Sequence, residues 1–397
     1  MLTLLKKALH VFAMALVVAA ACESLLWIGS GVSFRVRQWT APLWLPPTVV
    51  DDILGYRPNP LIIGHDRSGF RNARVPDRAD IVALGDSHTY GWGVAAGDAW
   101  PRRLQELGDD TVYSMAYGGY GPVHASLMID EALDKSPRVV IIAVYSGNDA
   151  FDAFRAVYEE GRRPEYATTG AAALTPEAKE SFQARVALAE GMGRPVALSS
   201  PPDHTKLIDY TRTRRLYWRA RHFLRTPDAV AKAETTWQQA KAVADAHPDR
   251  VDVLDDGRFR TVFTPAYRLT ALDMTEPCVE EGWRIAMTAI ADVAGRCREA
   301  GAVPVVLFVP TKEFVFVDHV MDASHAYRSL IENESTFLQR TSDYLQQRHI
   351  GFIDATPALR AILANGVQPY PVSNDGHPNA AGHRAIAGSV LDHIEDF

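Results

Sequence analysis

The residue types that together perform acyl transfer stand near the two ends of this 397-residue chain. Ser87 lies in Leu84-Gly85-Asp86-Ser87-His88-Thr89-Tyr90-Gly91, directly after the apolar run Ile81-Val82-Ala83-Leu84. Small residues around a serine at a strand end suit a tight turn that exposes the hydroxyl. A helix starting there turns its first amides toward an anion. The same residues also suit an ordinary turn and helix cap. A serine hydroxyl is a poor nucleophile at neutral pH unless an adjacent base takes its proton. His377, in Asn374-Asp375-Gly376-His377-Pro378-Asn379, is the candidate base, and Asp375 is the candidate partner for its other ring nitrogen. Ser146-Gly147-Asn148-Asp149 follows a second apolar run and supplies a side-chain amide.

Four segments in this order resemble the blocks of the SGNH/GDSL hydrolase family. They are Gly85-Asp86-Ser87, then Tyr113-Ser114-Met115-Ala116-Tyr117-Gly118-Gly119-Tyr120-Gly121, then Ser146-Gly147-Asn148-Asp149, then Asn374-Asp375-Gly376-His377. The resemblance covers 79–155 and 300–397. It implies a serine-dependent ester hydrolase working through an acyl-enzyme, with Ser87, His377 and Asp375 as catalytic residues. It also implies an oxyanion hole made of the Ser87 amide, the Gly119 amide and the Asn148 side chain. Two departures from the family pattern stand out. The family's acid is commonly three residues before the histidine, where this chain has Asn374, and Ser114 and Ala116 replace an asparagine and a glycine of the second block. His88, Tyr120 and Lys312 are expected to line the substrate. Tyr90, Trp92 and Tyr117 join Tyr120 as rings able to stack on sugars. His383 reads as a packing or capping residue. No metal cluster, Walker loop or dinucleotide fingerprint is found, so the expected chemistry needs no metal or cofactor.

The elements that must position these residues follow from hydrophobic pattern. Apolar runs at 81–84, 139–144, 303–309 and 351–354 read as buried strands. Helical stretches at 100–107, 282–300 and 329–348 lie between or after them. Alternation of this kind implies a mainly parallel sheet covered on both faces, and the resemblance makes it the three-layer α/β/α, flavodoxin-like arrangement. Sites in such sheets lie at the carboxyl ends of the strands, where the first motifs fall. Residues 156–299 read as a mostly helical insertion, a candidate lid, with breaks at 168–170 and 199–202. Residues 31–78 read as a proline-rich tether leading into the hydrolase domain.

The first thirty residues read as a signal-anchor helix. Lys6 and Lys7 precede a run of 21 residues, 8–28, that is apolar but for a few positions. Such a run is long enough to cross a bilayer. The lysines place the N-terminus in the cytoplasm and the remainder in the periplasm or outside. Cleavage after Ala19-Ala20-Ala21, giving a secreted protein, is the alternative. The net charge of −7 offers no basic excess for nucleic acid. Of three cysteines, Cys278 and Cys297 are candidates for a disulfide. With its tether and insertion the chain looks like membrane-anchored envelope proteins that modify polysaccharides. That makes an acylated carbohydrate, with acetyl as the expected acyl group, the expected substrate and polysaccharide-biosynthesis proteins candidate partners. An O-acetyltransferase using the same triad, and a catalytically silent envelope scaffold or glycan-binding protein, are the competing readings.

Overall fold

Strands in the order Val112–Ala116, Ile81–Gly85, Val139–Tyr145, Val303–Val309 and Gly351–Asp354 form one sheet in this computed structural model. The structure describes residues 2–168, 180, 211–223, 236–246, 248 and 250–397. In chain order the strands are β1 (Thr48–Asp51), β2 (Gly55–Pro58), β3 (Ile81–Gly85), β4 (Val112–Ala116), β5 (Val139–Tyr145), β6 (Asp252–Asp255), β7 (Arg260–Phe263), β8 (Val303–Val309) and β9 (Gly351–Asp354). Every neighbouring pair in the five-stranded sheet is parallel. All seven residues of β5 are buried, as are all five of β3. Strands covered on both faces carry such unbroken apolar runs, and each fully buried valine or isoleucine contributes roughly 1.5–3 kcal/mol.

The order β4-β3-β5-β8-β9 determines where a site can form. The chain leaves β3 toward one side and β5 toward the other, so a crevice opens beyond their carboxyl ends. The nucleophile segment follows β3 and the Asn148 segment follows β5. Helices Pro122–Leu133, Pro277–Glu299 and His325–Gln347 connect successive strands, and helix Ala380–Ile394 packs against Trp100–Leu107.

Several expectations change on contact with the structure. Val112–Ala116 is an edge strand that the apolar runs did not predict, and it carries the first residues of the second block. The described part of 156–299 contains more than an insertion. Helix Pro277–Glu299 packs on Pro122–Leu133, Asp149–Tyr158 and β8, so it is a core crossover connecting β5 to β8. The antiparallel pair β6–β7 also belongs with the core of the five-stranded sheet, because Phe259 and Phe263 join its main apolar cluster. Residues 169–170 and 199–202, two of the expected breaks, lie outside the described residues. Cys278 and Cys297 sit on one helix, 19 positions apart. At 1.5 Å per residue that is about 28 Å, which no disulfide spans. Neither forms a disulfide, and both are buried.

The chain divides into two compact units. One comprises Met1–Val50, Tyr56–Arg74 and Leu198–Ala229; the other comprises Asp51–Gly55, Val75–Ala197 and Val230–Phe397. In the first, the expected tether is folded. Gln38, on helix Phe34–Thr40, reaches the carbonyls of Pro60, Ile62 and His65 at 2.7, 3.0 and 2.8 Å. Helix Leu2–Val32 contains a candidate span, Thr3–Val32, whose most apolar 18-residue window has a mean hydropathy of 2.2 and no buried residue. Its length and composition suit a membrane-crossing helix or a signal sequence.

Candidate active site

Ser87 opens the four-residue helix Ser87–Tyr90 immediately beyond β3. Asp86 caps it by accepting the His88 amide at 2.8 Å. Gly85 allows this turn to close tightly, since a Cβ there would run into Thr89 and lie 3.1 Å from Ala143. Ser87 Oγ lies 2.8 Å from His377 Nε2. His377 Nδ1 lies 2.6 Å from Asp375 Oδ1. A hydroxyl, an imidazole and a carboxylate therefore stand in series, brought together across 290 positions of sequence.

The acid's unusual spacing has a local explanation. Asp375 Oδ1 accepts the backbone N–H of His377 at 3.1 Å as well as its ring nitrogen. A side chain that accepts from the amide two residues on closes an Asx turn, and this turn aims the imidazole. Asn374, at the family's usual acid position, is not needed for that contact.

Behind the loop stands Lys312. Its ammonium donates to the Ser373 carbonyl at 2.7 Å and the Thr261 hydroxyl at 2.9 Å, and it lies 3.3 Å from the Asp375 carbonyl. Thr261 in turn donates to the Pro371 carbonyl at 2.8 Å. Burial pushes the Lys312 ammonium down to about 8. Arg268 supports the loop from another side, with its guanidinium against Gly376 and 5.6 Å from the Tyr145 ring centre. Neither support shows in the sequence, because their partners are remote along the chain.

Three residues expected to line substrate are placed elsewhere. Lys312 is buried with its ammonium engaged as above. Tyr120 has no exposed surface and stacks on His124, with ring centres 4.7 Å apart. His88 is buried, with Nδ1 3.2 Å from Asp86 and Nε2 3.4 Å from the Gly376 carbonyl. Its ring stacks on Tyr145 at 3.7 Å and stands 4.6 Å from His377. Burial lowers its affinity for a proton, which suits a neutral ring packed beside the charged relay. His383 is fully buried within helix Ala380–Ile394, in keeping with a packing role. Tyr90 is buried, whereas Trp92 and Tyr117 are half-buried. The Trp92 amide donates to the Ser87 carbonyl at 3.0 Å and the Tyr117 amide to the Gly85 carbonyl at 3.3 Å, so both rings are tied to the nucleophile turn.

Besides the Ser87 amide at the start of its helix, the expected oxyanion donors fall on two loops. Gly118 lies beside Ser87, 3.8 Å separating its Cβ direction from the serine Cβ. Gly119 adopts φ 80°, the left-handed region that favours glycine. Asn148 precedes helix Asp149–Tyr158 and donates from Nδ2 to Asp152 at 2.8 Å. An amide nitrogen carries two hydrogens, so one remains for a substrate oxygen. Burial pushes the Asp152 carboxyl up to about 7. Among the described residues no group of three or more His, Cys, Asp or Glu is placed to hold a metal.

No protein-family model matches the sequence, and no curated protein matches it. Among solved structures, the chain is similar to a GDSL-like lipase from Bacteroides thetaiotaomicron, at 12% identity and a TM-score of 0.32, covering 80% of this chain and 87% of that one. It is also similar to an extracellular lipase from Streptomyces rimosus, at 14% identity and a TM-score of 0.35, covering 80% of this chain and 98% of that one. Likenesses this loose carry no weight for the chemistry, which rests on the chain's own residues. The chain's own geometry is what stands: four ordered blocks around one parallel sheet, and a serine, a histidine and an aspartate in hydrogen-bonded series beyond its strands, the arrangement that the resemblance of those blocks implies.

Proposed function

We propose that this protein is a serine esterase that removes O-acyl groups, acetyl foremost, from a carbohydrate of the cell envelope. The observation that carries the reading is the Ser87 Oγ–His377 Nε2 contact of 2.8 Å, continued to Asp375 at 2.6 Å. His377 Nε2 takes the Ser87 proton while Oγ bonds to the ester carbonyl carbon, whose oxygen becomes the oxyanion. The Ser87 amide, the Gly118-Gly119 turn and Asn148 supply the donors for that charge. Collapse expels the sugar oxygen, which takes the proton from His377. Water then gives its proton to His377 and attacks the acyl carbon. The carboxylic acid departs and the proton returns to Ser87.

The carbohydrate part of the reading is supported by the half-buried Trp92 and Tyr117 rings beside the nucleophile, since aromatic faces stack on sugars. Helix Leu2–Val32 supplies the envelope tether, and on this reading it spans the inner membrane with the catalytic unit on the exported side.

The test is acetate release from an acetylated oligosaccharide and from a chromogenic acetyl ester, with and without unacetylated sugar. Wild type should release acetate from both, and Ser87→Ala from neither. Acetyl transfer to the added sugar without acetate release would replace hydrolysis by transferase chemistry. Activity retained in Ser87→Ala would remove the proposal.

A further inference from the structure

Helix Arg212–Phe223 belongs to the same compact unit as the apolar helix Leu2–Val32 and packs on it. Its twelve residues, RTRRLYWRARHF, include five arginines and no acid. At about 100° per residue the arginines fall into two stripes. Arg212, Arg215 and Arg219 face inward. Arg212 lies 4.0 Å from Glu23, and Arg215 and Arg219 donate to the carbonyls of Thr40 and Ala41 at 3.5 and 3.4 Å. Those carbonyls end helix Phe34–Thr40, where positive charge complements the helix dipole.

On the opposite stripe are Arg214, Tyr217, Trp218 and Arg221. Tyr217 is 57% exposed and Trp218 is 37% exposed. The guanidinium groups of Arg214 and Arg221 stand 5.7 and 5.3 Å from the Trp218 ring centre. This surface combines aromatic bulk with cationic charge.

Glu23 indicates the level at which the helix sits. Its carboxylate accepts from the amides of Arg212 and Thr213 and from the Thr213 hydroxyl, at 2.8, 3.0 and 3.2 Å. A carboxylate is costly in hydrocarbon, so Glu23 and the helix end it caps belong at the hydrocarbon's edge. Along the helix, Glu23 lies about 24 Å from Lys7, a distance that snorkelling lysines extend to the thickness of a bilayer core. Trp27, 64% exposed, lies one turn beyond Glu23, where an interfacial aromatic would.

On the reading of Leu2–Val32 as a membrane span, we propose that Arg212–Phe223 is an interfacial helix whose Arg214, Tyr217, Trp218 and Arg221 stripe binds an anionic phospholipid surface. Arginines within a Debye length of anionic headgroups are attracted to them, and tyrosine and tryptophan settle at headgroup level. The helix then holds the exported end of the span at a fixed height and rotation.

The experiment uses the full chain in lipid nanodiscs, with Cys22→Ser and a nitroxide on Tyr217→Cys or on Val18→Cys. Collision of the label with an aqueous nickel chelate is compared in phosphatidylcholine discs with and without phosphatidylglycerol. The expected result is a Val18 label buried in both lipids and a Tyr217 label protected several-fold by phosphatidylglycerol. Adding Arg214→Glu and Arg221→Glu should abolish that protection and leave hydrolysis of a soluble ester unchanged. A buried Val18 label with a Tyr217 label indifferent to lipid charge, whether exposed or protected, overturns the proposal and leaves the span standing. Both labels exposed to water overturn the span and the proposal together.

Discussion

Asp375 does two things with one oxygen: it closes the turn that aims His377 and it accepts from the ring it has aimed. Asp375→Asn keeps the shape but presents an amide that also stabilises the wrong imidazole tautomer. It should lower kcat roughly 10⁴-fold with KM little changed, read by steady-state hydrolysis of a soluble ester. Lys312 is buried behind the same loop, with its ammonium held by Ser373 and Thr261. Lys312→Met removes the donor to the Ser373 carbonyl and leaves the loop free to relax. Because small misplacements of a base are costly, kcat should fall roughly 10²-fold while KM and the circular dichroism spectrum stay put. A rise in KM with kcat intact would instead make Lys312 a substrate ligand. Ser87, His377 and Asp375 are legible in sequence because each sits in a short motif at a strand end or loop. Lys312 was legible only as a charge at the end of β8. Its partners at Thr261, Ser373 and Asp375 are joined to it by the fold alone.

Strands at the centre of the sheet announce themselves, because burial on both faces leaves only apolar residues at β3, β5 and β8. β4 is hidden for the opposite reason: Ser114 and the partly buried Val112 break its pattern at the sheet edge. Helix Pro277–Glu299 starts five residues before Gly282, where the sequence placed its beginning, since Glu276 is the N-cap and proline suits the first turn. Gly282 is an interior packing position. A Cβ there would overlap the Ala150 carbonyl oxygen on the adjoining helix Asp149–Tyr158. Gly282→Ala should therefore destabilise the protein by about 1–3 kcal/mol despite alanine's better helix propensity, as measured by urea unfolding. An unchanged or raised midpoint would show that the two helices separate without cost.

The catalytic unit is closed behind its site by Glu334, which joins the ends of β5 and β8 to helix His325–Gln347. Its carboxylate accepts from the Ser146 hydroxyl at 2.6 Å, the Thr311 amide at 2.7 Å and the Thr311 hydroxyl. Burial pushes this carboxyl up to about 7 from 4.5. The folded state therefore holds a proton that the unfolded chain releases, and this contribution to stability is complete below pH 4.5 and lost as pH rises through 7. Glu334→Gln removes that loss, so its urea midpoint should gain on wild type between pH 5 and pH 8; a constant difference would contradict it. Every step above depends on Ser87 as nucleophile, and mass spectrometry after treatment with a fluorophosphonate reads whether that hydroxyl reacts. A single adduct mapped to Ser87, absent in Ser87→Ala and formed far more slowly in His377→Ala, is the predicted result. No adduct on the folded wild-type protein, or an adduct on another residue with Ser87 unmodified, would contradict it.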